Sequence, residues 1–195
     1  MFALDATASR EATWETARRL HRALFEAAAD TGGLVIQLCY YRGMGTFEAS
    51  PWLTSDDELL AHMDRVSCEG GPTQIGKLLR HYLQTGSPTT PVRGLVFIGD
   101  AVEEASAGLL NLAGQCRIKN QPIFAFQEGR DGTAADVFKG MAKASGGAYA
   151  AFDENSALHL RKLLGAVARY VAGGRPALTR SGTESDKLLL GQLPK

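Results

Sequence analysis

The chain has 195 residues, of which 45% are apolar and 22% are charged, and these are ordinary values for one globular domain. Its 21 basic and 21 acidic side chains cancel, so the composition predicts no long-range field that would attract nucleic acid or an anionic membrane. The sequence contains no apolar run close to the roughly 20 residues that a membrane span needs, and it contains no signal-peptide pattern. We therefore expect neither a transmembrane helix nor a signal peptide.

The cysteines and histidines predict no zinc site and a reducing compartment. Cys39, Cys68 and Cys116 show no CxxC spacing, and no pair of histidines stands at the spacing of metal ligands. Isolated reduced cysteines are typical of cytoplasmic proteins, so we predict a cytoplasmic location. A single reactive thiol is the alternative interpretation of these residues.

Strand and helix patterns alternate along the chain. Continuous apolar runs such as LVIQLCYY predict buried strands, and apolar residues at three- and four-residue steps predict helices. The predicted strands cover residues 2–4, 34–41, a short return after Gly43 and Gly45, 95–100, 122–127 and 148–152. The predicted helices cover residues 11–30, a segment opened by a capping box at 55–58, and residues 73–83, 103–117, 134–145 and 156–172.

This alternation is typical of an α/β domain with a Rossmann-like, doubly wound sheet. We expect about six mostly parallel strands, one short antiparallel edge strand, and helices on both faces. The composition shifts to Thr, Ser, Gly and Asp after residues 173–176, so we place the domain at 1–172 and a polar C-terminal tail at 173–195. The three leucines of the tail, 188–190, predict either a frayed end laid back on the domain or a docking peptide.

Three segments place side-chain oxygens where predicted strands end or helices begin. Asp5, Thr7 and Ser9 follow the first strand, and alternate residues of an extended chain face the same side. Thr73 follows two glycines and a proline at a helix start, and Asp100 ends the run LVFIGD. Ligands of open parallel sheets collect above the carboxyl ends of the strands, at the point where strand order reverses.

If the first strand and the LVFIGD strand are neighbours, Asp5 and Asp100 lie close together. Two such carboxylates repel each other, and a hard dication removes the conflict. Two carboxylates, three hydroxyls and water form an all-oxygen set that suits Mg²⁺. The alternative is that each of these residues is an ordinary helix cap in an α/β domain without a metal.

The same segments resemble a known family. DATAS at 5–9, GGPT at 70–73, LVFIGD at 95–100 and GGAYAAF at 146–152 stand in the order found in von Willebrand factor A (vWA) domains with a metal-ion-dependent adhesion site (MIDAS). The resemblance covers about residues 1–172, and it implies a vWA domain of the bacterial, cytoplasmic type.

The resemblance also implies a ligand set and a function. Thr7, Ser9 and Thr73 are expected to bind Mg²⁺, or Mn²⁺ or Ca²⁺ in its place, through their hydroxyls. Asp5 and Asp100 are expected to hold the metal through water or through hydrogen bonds to those hydroxyls. The chain would then be a Mg²⁺-dependent adapter or scaffold, not an enzyme, which binds an Asp or Glu of a protein partner.

The chain departs from the family pattern at two places. Thr7 stands where serine is usual, which keeps the oxygen and adds a methyl group. Ala101 stands where glycine is common, and Glu103 and Glu104 follow it. These two acids are either first-turn residues of the helix predicted from 103, favoured by its dipole, or acids that lean over the crevice and repel an acidic partner.

Two other functions compete with the adapter. A Mg²⁺-dependent phosphohydrolase would use Asp5 as its nucleophile and could recruit Lys77, but such enzymes need a second aspartate at position 7, which here is Thr7. The second alternative is a scaffold whose metal site is vestigial and which acts through its helices or its tail.

Overall fold

The computed structural model of the protein describes residues 1–10, 24–25, 33–87, 89–153 and 157–194. Among these residues are six strands and six α-helices whose bounds are given below, and a short 3₁₀ helix at Ala8–Arg10 follows the first strand. The strands are β1 (Phe2–Asp5), β2 (Ile36–Arg42), β3 (Thr46–Leu53), β4 (Leu95–Gly99), β5 (Ile123–Glu128) and β6 (Ala148–Phe152). The helices are α1 (Asp56–Met63), α2 (Ile75–Gln84), α3 (Ser106–Ile118), α4 (Gly132–Ser145), α5 (Ala157–Ser181) and α6 (Glu184–Gln192).

The strands form one sheet in the order β3-β2-β1-β4-β5-β6. All neighbours are parallel except β2 and β3, which form an antiparallel pair at one edge. The turn between β2 and β3 places Gly43 and Gly45 at positive φ, a backbone conformation that glycine adopts at little cost. The predicted α/β class and the mostly parallel sheet with an antiparallel edge are therefore confirmed.

β1 is one of the two central strands, and the side chains of residues 1–4 alternate between two cores. Phe2 and Leu4 pack into the core that contains α1, α5 and α6. Met1 and Ala3 pack into the core that contains α2, α3 and α4. Both faces of the sheet are covered, which explains why the strand sequences read as continuous apolar runs.

Most of the helix predicted for 11–30 lies outside the described residues, and Leu24 and Phe25 are helical. The capping box predicted at the start of α1 is present. The Ser55 hydroxyl accepts a hydrogen bond from the backbone N–H of Glu58, and the Glu58 carboxylate accepts one from the backbone N–H of Ser55. The helix predicted from residue 103 begins at Ser106 instead.

Much of the segment after residue 172, which was predicted as a polar tail, is helical. α5 continues to Ser181 across a kink at Gly174 (φ 65°, ψ −164°), and α6 follows. Leu189 is buried in the core, and the Gln192 side chain accepts a hydrogen bond of 2.9 Å from the backbone of Tyr149 on edge strand β6. Packing against the domain stabilises this helical conformation, and the capping box of Thr183 and Asp186 adds a local contribution at the start of α6.

A buried ion pair joins α5 to α6. The Arg169 guanidinium lies 2.7 Å from the carboxylate of Asp186, which is 0% exposed. Asp186 also accepts hydrogen bonds from the backbone and hydroxyl of Thr183 at 3.0 and 2.7 Å. Burial by itself raises the pKa of Asp186, but these hydrogen bonds outweigh it and the pKa lies below its ordinary value.

We therefore expect Asp186→Ala to lower the free energy of unfolding by about 3 kcal/mol, because it leaves a partly buried guanidinium unpaired. Urea denaturation measures this, with Glu184→Ala as the control, since the Glu184–Lys187 pair is exposed and its loss should barely move the midpoint. The contribution of Asp186 is present above about pH 4 and is lost as the pH falls through the depressed pKa. Equal midpoints for the two variants would contradict a structural role for the pair.

Candidate metal centre

The candidate site lies where β1 and β4 end. These strands are parallel neighbours, and Leu4 pairs with Ile98. Asp5 is the last residue of β1, and Asp100 directly follows the last residue of β4. From β1 the chain continues to β2 on one side, while β4 lies on the other, so this crevice is the switch point of the sheet. The condition under which the sequence placed Asp5 and Asp100 close together, that these two strands are neighbours, is therefore met.

Asp5 is fully buried, and both of its carboxylate oxygens accept hydrogen bonds. Oδ1 accepts from the backbone N–H of Thr7 at 2.8 Å, and Oδ2 accepts from the hydroxyl of Tyr41 at 2.9 Å. Burial raises the pKa of Asp5 in spite of these bonds, and the negative charge of Asp100 raises it further. A cation in the crevice would offset both effects.

Thr7 and Ser9 extend this set of oxygens. The Thr7 hydroxyl oxygen lies 3.1 Å from that of Ser9, which is hydrogen-bond distance. Ser9 lies in the 3₁₀ helix and is exposed, whereas Thr7 is buried. The structure thus brings Asp5, Thr7 and Ser9 into one hydrogen-bonded chain that runs from the sheet towards solvent.

Asp100 has a buried oxygen without a partner. Its Oδ1 atom is inaccessible to solvent and accepts no hydrogen bond from any described residue. A buried carboxylate oxygen without a donor costs free energy, and such atoms call for a specific explanation. A metal ion beside Asp5, Thr7 and Asp100 would supply one, and the hard oxygens of these side chains are of the type that Mg²⁺ prefers.

The loop that carries Thr73 is tied to the segment that follows β1. The backbone N–H of Glu69 donates to the carbonyl of Ala6 at 3.0 Å, and the N–H of Gly43 donates to the carbonyl of Glu69 at 3.1 Å. Gly71 packs so closely on this turn that a β-carbon there would lie 2.0 Å from the carbonyl oxygen of Gly43. Glycine is thus required at position 71, two residues before Thr73, because the backbone of Gly43 comes so close.

Thr73 is buried and forms a reciprocal pair with Glu103. Its N–H donates to Oε2 of Glu103 at 3.0 Å, and its hydroxyl accepts from the N–H of Glu103 at 3.0 Å. Thr73 is not the N-cap of α2, because Gln74 occupies that position without a side-chain cap bond. Among the described residues no hydrogen bond joins Thr73 directly to Asp5 or Asp100, and its link to Asp100 runs through Glu103.

Glu103 and Glu104 are the residues of this region whose role the sequence did not predict. They precede α3, so the expectation that they occupy the first turn of their own helix is wrong. Glu104 instead accepts hydrogen bonds from the N–H groups of Ile75 and Gly76 at 2.5 and 2.8 Å, at the start of α2. A helix dipole does favour these acids, but it is the dipole of α2. A signal for this was the lack of an acidic residue in the first turn of α2 itself.

Lys77 forms a hydrogen bond with the turn between β2 and β3. Its Nζ donates to the carbonyl of Gly45 at 2.8 Å and to Oε1 of Gln74 at 2.9 Å. Lys77 is therefore bound to the β2–β3 turn and to the residue before α2.

Within the described residues no three His, Cys, Asp or Glu side chains form a group that could hold a metal. The candidate site differs from such clusters because three of its five residues offer hydroxyl oxygens rather than carboxylate, imidazole or thiol groups. The thiols of Cys39 and Cys116 are buried, and burial raises their pKa to about 12 and about 11, so they are not reactive thiols. No helix in the described ranges is both long and apolar enough to cross a membrane.

No protein-family model and no curated protein matches the chain. Solved structures match it over most of its length. The VWA domain of SpRpn10 is 13% identical with a TM-score of 0.63, over 78% of this chain and 86% of that one. The mussel byssus proximal thread matrix protein 1, solved with a zinc-occupied MIDAS motif, is 16% identical with a TM-score of 0.62, over 86% of this chain and 43% of that one. The PilB minor pilin of Streptococcus sanguinis is 9% identical with a TM-score of 0.62, over 99% of this chain and 62% of that one.

The chain therefore has a vWA-like fold, as its sequence motifs predicted. At these identities the likeness establishes the fold alone, and the chain spans less than half the length of the mussel protein.

Proposed function

We propose that this protein is a Mg²⁺-dependent interaction module that binds an acidic side chain of a protein partner. The observation that carries the proposal is the buried Oδ1 of Asp100, which accepts no hydrogen bond in the described part of the chain and lies beside a second buried carboxylate, Asp5. The vWA-like fold supports it, as does the metal-occupied MIDAS motif of the mussel protein.

Thr7, Ser9 and Thr73 would contribute hydroxyl oxygens to the metal. Asp5 and Asp100 would act through water or through hydrogen bonds to those hydroxyls. The backbone N–H of Thr7, which donates to Asp5, would keep the two residues together. Because the carboxylates do not then neutralise it directly, the metal keeps enough positive charge to bind a carboxylate of the partner. Mn²⁺ or Ca²⁺ could take the place of Mg²⁺.

The module is an adapter or scaffold in this proposal, and we assign it no catalytic residue and a cytoplasmic location. A metal-independent scaffold is the second candidate. It is favoured by the Thr73–Glu103 pair, which satisfies the Thr73 hydroxyl without a metal. The two candidates differ in whether EDTA releases a partner.

The direct test is calorimetric titration of EDTA-stripped protein with MgCl₂ or MnCl₂, with NaCl of equal ionic strength as control. We expect one ion to bind per chain. Because the ion binds only the folded state, the free energy of unfolding should rise by about 2.7 kcal/mol at a concentration about 100 times the Kd. Absence of both heat and thermal stabilisation would remove the metal site and leave the metal-independent scaffold.

Partner capture follows if the metal binds. The immobilised protein, charged with Mn²⁺, should retain proteins from its native host that EDTA elutes, and an excess of free glutamate should compete for them. Retention that EDTA does not affect would favour the metal-independent scaffold. Hydrolysis of an aryl phosphate that Asp5→Asn abolishes would contradict both candidates.

A further inference from the structure

Two consecutive acids connect the β4–α3 loop to the start of α2, and we call Glu103 and Glu104 together the acidic clamp. Their carboxylates accept three backbone N–H bonds, from Thr73, Ile75 and Gly76, at 2.5 to 3.0 Å. The backbone N–H of Glu103 donates a fourth bond to the Thr73 hydroxyl at 3.0 Å. The partners are 28 to 30 residues apart along the chain.

The clamp supplies what α2 lacks. The N-cap residue Gln74 makes no side-chain cap bond, and the first turn of α2 contains no acid. The first N–H groups of a helix have no partner within the helix, and bonds to a carboxylate are stronger than those to a neutral acceptor. The β-carbon of any larger residue at Gly76 would lie 2.8 Å from Oε1 of Glu104, so glycine leaves room for this carboxylate.

The clamp also determines the position of the Thr73 hydroxyl. A hydroxyl oxygen has two lone pairs, and the N–H of Glu103 takes one of them. This bond and its reciprocal partner restrict the rotamer of Thr73, while one lone pair stays available for a cation. Asp100 stands three residues before Glu103, so one short segment carries both the Asp100 carboxylate and the anchor of Thr73.

We propose that Glu103 is a positioning residue that holds the Thr73 hydroxyl at a fixed place relative to Asp100, so that both can serve one metal ion. The role depends on the reach of the Glu103 carboxylate to the Thr73 N–H rather than on its negative charge. This inference rests on the proposed function, because the ion is the one proposed for that site.

Two substitutions separate reach from charge. Glu103→Gln keeps the length of the side chain and an acceptor oxygen but removes the charge, whereas Glu103→Asp keeps the charge and shortens the chain by one methylene. We expect Glu103→Gln to bind Mn²⁺ within about threefold of the wild-type affinity. Glu103→Asp and Glu103→Ala should bind about 10- to 100-fold more weakly, the usual effect of losing a group that orients a metal ligand.

Amide hydrogen exchange in the metal-free protein provides a readout that does not depend on the ion. The Thr73 amide should exchange at least about tenfold faster in Glu103→Asp and Glu103→Ala than in the wild type and Glu103→Gln, since each tenfold change reflects about 1.4 kcal/mol of lost protection. Glu104→Ala is the matched control, and it should accelerate exchange at Ile75 and Gly76 with a smaller loss of Mn²⁺ affinity.

The outcomes separate this inference from the proposed function. If the wild type binds Mn²⁺ and Glu103→Ala binds it equally well, the positioning role is wrong and the proposed function stands. If Glu103→Gln loses as much affinity as Glu103→Ala while its Thr73 amide stays protected, the charge matters and positioning does not. If the wild type binds no Mn²⁺, the proposed function and the positioning role both fail, whatever the exchange rates.

Discussion

Replacing Asp100 by asparagine is expected to weaken Mg²⁺ binding by about 100-fold or more while the protein stays folded. The substitution removes the charge of the carboxylate whose buried Oδ1 has no hydrogen-bond partner among the described residues. It also removes a negative charge that raises the pKa of the buried Asp5. The metal-free variant should therefore unfold at a temperature equal to or above that of the metal-free wild type, because one buried like-charge repulsion is gone.

Calorimetric titration and thermal unfolding with and without MgCl₂ check this prediction together. Asp57→Asn makes the same charge change at an exposed position of α1 and should leave both the affinity and the metal-induced stabilisation unchanged. Wild-type affinity in Asp100→Asn would show that the ion, if bound, does not use this carboxylate. A large loss of stability in the metal-free variant would show instead that Asp100 has a structural role.

The second large effect is expected from a single methyl group at Gly71. A β-carbon there would lie 2.0 Å from the carbonyl oxygen of Gly43 and 2.3 Å from its carbonyl carbon. The obstacle is backbone rather than the end of a flexible side chain, so the loop must move away from the β2–β3 turn. We expect Gly71→Ala to cost about 3 kcal/mol, the upper end of ordinary overpacking, and to displace Thr73 two residues later.

Gly70→Ala is a closely matched control. The added β-carbon would meet only the β-carbon of Ala8 at 4.0 Å, an ordinary contact, so stability should change little. Urea denaturation measures both variants, and titration with Mn²⁺ should show a weaker site in Gly71→Ala alone. Equal stabilities for the two variants would mean that the loop is not held against Gly43 as the structure has it.

Much of the fold was predictable because its signals are local. The runs LVIQLCYY and LVFIG are apolar at nearly every position, with Gln37 as the exception. This pattern is typical of a strand covered on both faces, and β2 and β4 are such strands. Once β1 and β4 are parallel neighbours, Asp5 and Asp100 must emerge at the same edge of the sheet. For this reason the proximity of the two carboxylates could be predicted from their positions at strand ends.

The partners of those carboxylates could not be predicted in the same way. Tyr41 is 36 residues from Asp5, and nothing in the sequence around it marks its hydroxyl as the donor to Oδ2. The helix formed by 184–192 has a local signal, the capping box of Thr183 and Asp186, but its burial depends on Leu189 and on the pair between Arg169 and Asp186. Such contacts depend on register and packing, which neighbouring residues do not encode.

The sequence by itself determined the α/β class, the order of the elements up to about residue 172, and the edge of the sheet at which Asp5 and Asp100 stand. Hydrophobic periodicity and chain direction suffice for these. Only the tertiary structure decided that Glu103 and Glu104 serve α2 instead of α3. The N–H groups at a helix start bind any carboxylate that lies close enough to accept their hydrogen bonds. Glu103 and Glu104 are 28 to 30 residues from their partners along the chain, so only the packing of the sheet and helices brings them that close.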